Sequence, residues 1–293
     1  MASGGAWLKY GCLGCLGVVV LVLVGVGGAI GVALVTTEPE QVESHVLTPE
    51  IPLEIAAGGR VILEARQAEL YVEPAEPGEP LRVEAHYDTN AFALEEEFDP
   101  ATEEDGAWTY RMTFGRGDRS GALSGLVSMF RRSTARIHVF LPRDVPIDLT
   151  LDAETGAAIV RLGGLWLRTA EVRLETGALD LSFDEPLREP MESLKIRSVM
   201  GGALLNRIGN ASPRRLDVNY NMGGIDMDLG GLWLRDAEIN IIGRMGGGAV
   251  HLPEGVTIEG LDHGNIEAPM EPELKRPTLK FSVSSRMGQI EFH

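Results

Sequence analysis

Cysteine is nearly missing from this 293-residue chain: only Cys12 and Cys15 occur, both in the apolar N-terminal end. Everything after them must fold without disulfides and without thiolate metal ligands. Aromatic residues are scarce, at 6%. Bases are outnumbered, with 26 Lys+Arg against 43 Asp+Glu and a net charge of −17. Residues 1–37 contribute only Lys9, so the remainder holds 25 bases and 43 acids, a net of −18. Such a polyanion lacks the Lys/Arg clusters that displace counterions from a phosphate backbone, which excludes nucleic acid as a partner. No HExxH, P-loop, dinucleotide fingerprint or serine nucleophile elbow occurs. The six histidines, His45, His86, His138, His251, His263 and His293, form no close pair on one strand face. No metal, cofactor or catalytic residue is therefore expected.

What the chain does have begins with Gly11 to Val35, a run of 25 residues without a charge. As a helix it would rise about 37 Å, enough to cross a hydrocarbon core of about 30 Å. The expectation is one uncleaved transmembrane helix over 11–35. A cleavable signal peptide is the competing reading, since Gly31-Val32-Ala33 loosely resembles a small-residue cleavage site, but the run exceeds the usual apolar core of such signals. Lys9 before the span and Glu38, Glu40 and Glu43 after it place residues 1–10 in the cytoplasm and the large domain outside. Residues 36–48 read as a polar stalk.

Beyond the stalk come short alternating runs bounded by turn residues. They include Ile51–Ile55, Val61–Ala65, Glu69–Val72, Leu81–Ala85, Trp108–Met112 and Arg136–Leu141. Period-two alternation argues for strands, and no long amphipathic helix interrupts them. Glu95-Glu96-Glu97-Phe98-Asp99, with Glu103-Glu104-Asp105, reads as a solvated acidic loop. From residue 149 the chain repeats. Strand openings at Leu149, Val172, Leu194, Leu216 and Ile239 recur at about 22 residues, and a last copy opens at Leu279. Each leads to a glycine turn and a second strand, as in Gly177-Ala178-Leu179-Asp180-Leu181. The hexapeptide Gly-Gly-Leu-Trp-Leu-Arg occurs intact at 163–168 and again at 230–235. A short period built from strands and glycine corners implies one coil per repeat, each burying its apolar face against its neighbours. The expected fold is all-β, a single-chain β-solenoid over residues 49–293. Two stretches depart from it: a basic, partly apolar insertion at 112–135 and a Pro/Glu-rich excursion at 253–277. For residues 50–145, which lack a clean period, a β-sandwich is the alternative.

Val61–Tyr87, Ile137-His138-Val139-Phe140-Leu141-Pro142 and the strand–Glu-Thr-Gly–strand coils resemble the bacterial "putative adhesin", or toastrack, β-solenoid family. That family is related to the extracytoplasmic domain of LiaF- and LiaG-like envelope proteins. The resemblance covers residues 50–293 and rests on pattern, with no catalytic motif. It implies a membrane-anchored or exported module for adhesion or for regulating envelope stress. The expected function is accordingly non-enzymatic binding or scaffolding from the bacterial cytoplasmic membrane, through an envelope or wall partner. A polysaccharide-active β-helix enzyme, using acids such as Asp180, Asp226 and Asp228 on one outer face, is one alternative. A self-assembling structural element is the other. Candidate interaction residues are Arg116, Arg119, Leu126, Phe130, Arg131 and Arg132, a basic and apolar set suited to an anionic surface. Phe292 joins them at an end with no visible cap, which either the 253–277 excursion covers or another protein does, and an end-to-end contact with a second copy or a partner is the expectation. Arg116-Gly117-Asp118 and the Asn210-Ala211-Ser212 sequon read as chance matches.

Overall fold

The computed structural model describes residues 58–89, 91–100, 107–117, 135–261 and 276–293. The expected span at 11–35, the stalk, the run Ile51–Ile55 and the acids at 103–105 lie outside these residues. Among the described residues no helix is long and apolar enough to cross a membrane.

The described residues are all-β, apart from one 3-10 turn at Ile208–Ala211. Six strands come first: β1 Gly59–Ala65, β2 Ala68–Pro74, β3 Arg82–His86, β4 Phe92–Asp99, β5 Trp108–Arg116 and β6 Ala135–Leu141. Five long strands follow: β7 Ile147–Arg161, β8 Leu167–Ser182, β9 Ser193–Asn206, β10 Arg215–Asp228 and β11 Ala237–His251. The chain ends with β12 Thr257–Glu259, β13 Thr278–Met287 and β14 Ile290–Phe292. They form one 14-stranded sheet. From β7 onward every pairing is parallel, the arrangement a β-solenoid requires.

Each long strand is two arms joined at a glycine. Gly156, Gly177, Gly201, Gly223, Gly246 and Gly288 stack in register and share φ between 127° and 148°. Only glycine suits this corner, because a Cβ on Gly201 would sit 1.8 Å from the Gly177 carbonyl oxygen. The corner also switches sidedness. In β9 the buried residues before it are Leu194, Ile196 and Ser198, and after it Ala203 and Leu205. A third, irregular side returns the chain to the next coil. Its apolar residues, Leu162 and Leu165, then Phe183, Leu187 and Met191, then Ile208 and Ala211, are buried. Adjacent returns are hydrogen-bonded, as where Leu187 N donates to Asn210 O at 2.9 Å.

The repeat spacing holds between β9, β10 and β11, where Leu194, Leu216 and Ile239 stack directly. It slips by two residues around β8: Leu149 pairs with Ala170, and Val172 with Leu151 and Ile196. A shift of two keeps every side chain on its own face, so the core is unaffected. The aperiodic N-terminal part is not a separate sandwich. β1 pairs in parallel with both β5 and β7, extending the first-arm stack, and β2 joins β6 to β7 on the second. β3 and β4 then close the two arms with antiparallel strands.

The acidic run at 95–99 is strand, not loop. It is most of β4, the outermost strand of the first arm. Phe92, Leu94 and Phe98 pack on the core. Phe92 lies 5.3 Å from Phe114 and Phe98 lies 6.2 Å from Trp108. Glu96 takes the remaining inward position, where its carboxylate accepts a 2.6 Å hydrogen bond from the Tyr110 hydroxyl. Desolvation, with that hydrogen bond, pushes the Tyr110 phenol well above its ordinary range. Residues 112–116 of the expected insertion belong to β5, with Met112 and Phe114 fully buried.

Candidate binding face

The corner determines what lies on the outer surface. In the columns next to the corner glycines, Ala157, Ala178, Gly202, Gly224 and Gly247 stack after them, and Met200, Met222, Met245 and Met287 before them. Met200 is 45% exposed and Met287 63%. One further column along the second arm holds His138, Tyr71, Ile159, Asp180, Leu204 and Asp226 in register. Tyr71 and His138 stack with ring centres 4.4 Å apart, and the Arg82 guanidinium lies 4.3 Å over the Phe140 ring beside them. A shallow groove of about 650 Å³ follows this arm, lined by Ala157, Ala178, Gly202, Gly224, Ile159 and Leu204 among others. Asp180 and Asp226 interrupt the apolar residues of this column, so the groove floor is apolar and carries two carboxylates. The groove's origin is local: small residues beside the corner leave the groove floor low, and Ile159 and Leu204 stand at outward positions.

The aspartates expected on one outer face do share a column in part. Asp180 and Asp226 both align with Leu204, two rungs or about 10 Å apart. Asp180 receives both arms of Arg161, at 2.8 and 2.7 Å, and that hydrogen bonding holds its carboxyl below the usual range against the opposing effect of burial. Asp226 lies 3.3 Å from His251. Asp228 is the last residue of β10 and accepts from Gly230 N in the following turn at 2.7 Å. These are ion pairs and a turn bond, which do not match the acid–base pair of a glycosidase.

A second concavity of about 570 Å³ lies on the other side of the corner and gathers Glu64, Arg66, Asp152, Glu154 and Glu175. Three of its four acids are paired: Arg66 to Glu154 at 3.4 Å, Arg111 to Glu64 at 3.4 Å, and Arg173 to Glu175. The structure also brings His251 and His293 together, 5.5 Å apart on neighbouring rungs. A scan for pairs within one strand misses this contact, because 42 residues separate them. Among the described residues no group of three or more His, Cys, Asp or Glu could hold a metal ion.

Of the interaction residues expected from sequence, Arg116 is the exposed last residue of β5, opposite Phe92. Arg119, Leu126, Phe130, Arg131 and Arg132 lie outside the described residues. Phe292 is half-buried in β14, edge-on to Phe281 at 6.1 Å. The sequon residue Asn210 is buried; its amide donates to Phe183 O at 2.7 Å and accepts from Leu232 N at 3.1 Å. The aromatic pair Tyr71–His138 and the groove were missed in sequence, since stacking across rungs depends on register.

No family model matches the chain, and no curated protein does. Among solved structures it is similar to a "putative cell adhesion protein" from Clostridium sporogenes, at 13% identity, with 86% of this chain and 99% of that chain covered and a TM-score of 0.40. It is also similar to a "putative adhesin" from Bacteroides fragilis, at 9% identity, with 87% and 98% covered and a TM-score of 0.42. Likenesses this distant transfer no residue role.

Proposed function

We propose that this protein is a membrane-anchored, outward-facing β-solenoid that binds or scaffolds an envelope partner and catalyses no reaction. The observation that carries the binding reading is the groove on the second arm, where Ile159 and Leu204 flank Asp180 over a floor of Ala157, Ala178, Gly202 and Gly224, with the stacked Tyr71 and His138 on the rungs beyond Ile159. Against an enzyme stands the pairing of the outward acids: Glu64, Glu154, Glu175 and Asp180 engage arginine, and Asp226 lies beside His251. The anchor rests on the uncharged run at 11–35 and its flanking charges. The partner's identity separates adhesion from envelope-stress regulation.

The test has two arms. In bacterial cells expressing the chain, the protein should resist alkaline extraction from the membrane fraction, and its β part should be cleaved by protease added outside. Release into the soluble fraction, or protection from that protease, sinks the anchored, outward arrangement. Partners cross-linked to the chain should be lost on Leu204→Asp with Tyr71→Ala and retained on Glu154→Ala. A polysaccharide shortened by the purified chain would overturn the non-enzymatic reading.

A further inference from the structure

The two ends of the stack are unequal. At the N-terminal end the first arm is closed by β4, whose exposed Glu95, Glu97 and Asp99 repel another strand. At the other end β12 covers only Thr278–Lys280 of β13, with Gly260 against Phe281. Among the described residues nothing covers the rest of β13, the last corner or β14.

The hydrogen bonds reveal what that edge offers. Gly248 N donates to Gln289 O at 3.0 Å, and His293 N donates to Val250 O at 2.9 Å. Successive peptide groups in a strand point to opposite sides, so those of Ile290 and Phe292 face away from β11. On β13, Thr257 N donates to Pro277 O at 2.9 Å on the β12 side, while Thr278 N donates to Asp236 on the other. The same alternation turns Val283, Ser285 and Met287 outward beyond the end of β12. Both arms of the last coil thus present open donors and acceptors beside core side chains that are only partly covered, namely Val283, Ile290 and Phe292.

We propose that this end docks on the same end of a second copy, through a two-fold axis at the corner between Gly288 and Gln289. A two-fold along the bisector of a bent strand lays the first arm of one copy antiparallel on the second arm of the other, and keeps the core sides together. Met287 then faces Ile290, and Ser285 faces Phe292. In both pairs the open peptide groups meet, as a hydrogen-bonded antiparallel pair requires. This register also sets Arg286 of each copy opposite Glu291 of the other, both exposed. Shifting by one residue breaks the match of faces and of donors. Shifting by two puts Arg286 against Gln289 and Glu291 against Ser284, losing the charge pairing. The proposal holds whether or not the chain is anchored in a membrane.

The test is sedimentation equilibrium of the full chain in detergent. Wild type should dimerise. Arg286→Glu and Glu291→Arg should each weaken association by about tenfold, since each sets like charges opposite each other twice. The double change Arg286→Glu with Glu291→Arg should restore it. Both positions are exposed, so circular dichroism should be unchanged in all three variants. A chain that stays monomeric at every attainable concentration overturns the proposal. So does a dimer that neither single change weakens, or a double variant that stays dissociated.

Discussion

At the residue scale the corner glycines separate conformation from composition. Gly201 has φ 135° and no room for a Cβ, whereas its neighbour Gly202 meets nothing within 4 Å. Gly201→Ala should cost more than about 2 kcal/mol, and Gly202→Ala less than about 0.5 kcal/mol, by urea denaturation. The titratable residues give opposite pH signatures. Asp180 and Asp217 are held low chiefly by hydrogen bonds from Arg161 and Arg215. A depressed carboxyl stabilises the fold above its unfolded value of about 4, and that contribution is lost as pH falls through the folded value. Arg161→Ala should therefore shrink the loss of stability between about pH 5 and 2. The raised Tyr110 phenol acts at the other extreme. Its contribution is intact below the unfolded value of about 10 and is lost as pH rises beyond it, so Tyr110→Phe should flatten the alkaline limb of the same denaturation profile.

At the element scale identical sequence does not give identical structure. In the first copy of the hexapeptide, Leu165 and Leu167 are buried and Trp166 lies outside, 4.9 Å from the Arg188 guanidinium. In the second copy Trp233 is buried, while Leu232 and Leu234 are 51% and 57% exposed. The flanks decide. Leu167 opens β8 opposite Ile147, so strand alternation turns the leucines inward. The second copy precedes its strand, and Asn210 and Ser212 hold the Leu232 and Leu234 amides. Gly209 leaves space for the indole, whose Nε1 donates to Leu229 O at 2.8 Å. Trp233→Ala should cost about 3–5 kcal/mol and Trp166→Ala about 1 kcal/mol or less, by thermal unfolding. The hexapeptide's spacing therefore marked the period correctly without revealing orientation. Likewise β4 was hidden because Glu96 fills one inward slot of an otherwise alternating Phe92, Leu94, Phe98 pattern, and the Tyr110 hydroxyl that makes this tolerable is distant in sequence. The long strands were readable because corner glycines and alternating Leu, Ile and Val are local signals. The binding face was not, since it joins residues such as Tyr71 and His138 only through register.

At the scale of the whole molecule the stack is held by nearest neighbours. With Cys12 and Cys15 confined to the N-terminal end, coil-on-coil burial carries its stability. Leu151 and Val172 stack directly, whereas Leu149 and Ile241 sit several rungs apart. Alanine substitutions at Leu149 and Ile241 should add within about 0.5 kcal/mol, and those at Leu151 and Val172 should depart from additivity by more, in double-mutant cycles.

The corner and the two arms are metered by the hydrogen-bond ladder, but the third side is not. From Ser182 to Ser193 the return takes a longer path than from Asn206 to Arg215 or from Asp228 to Ala237. From β7 to β11 the stack grows in whole coils along its axis, while differences in length emerge on that one flank. That flank can be remodelled coil by coil without disturbing the surfaces on either arm, which separates the part that must keep count from the part free to vary.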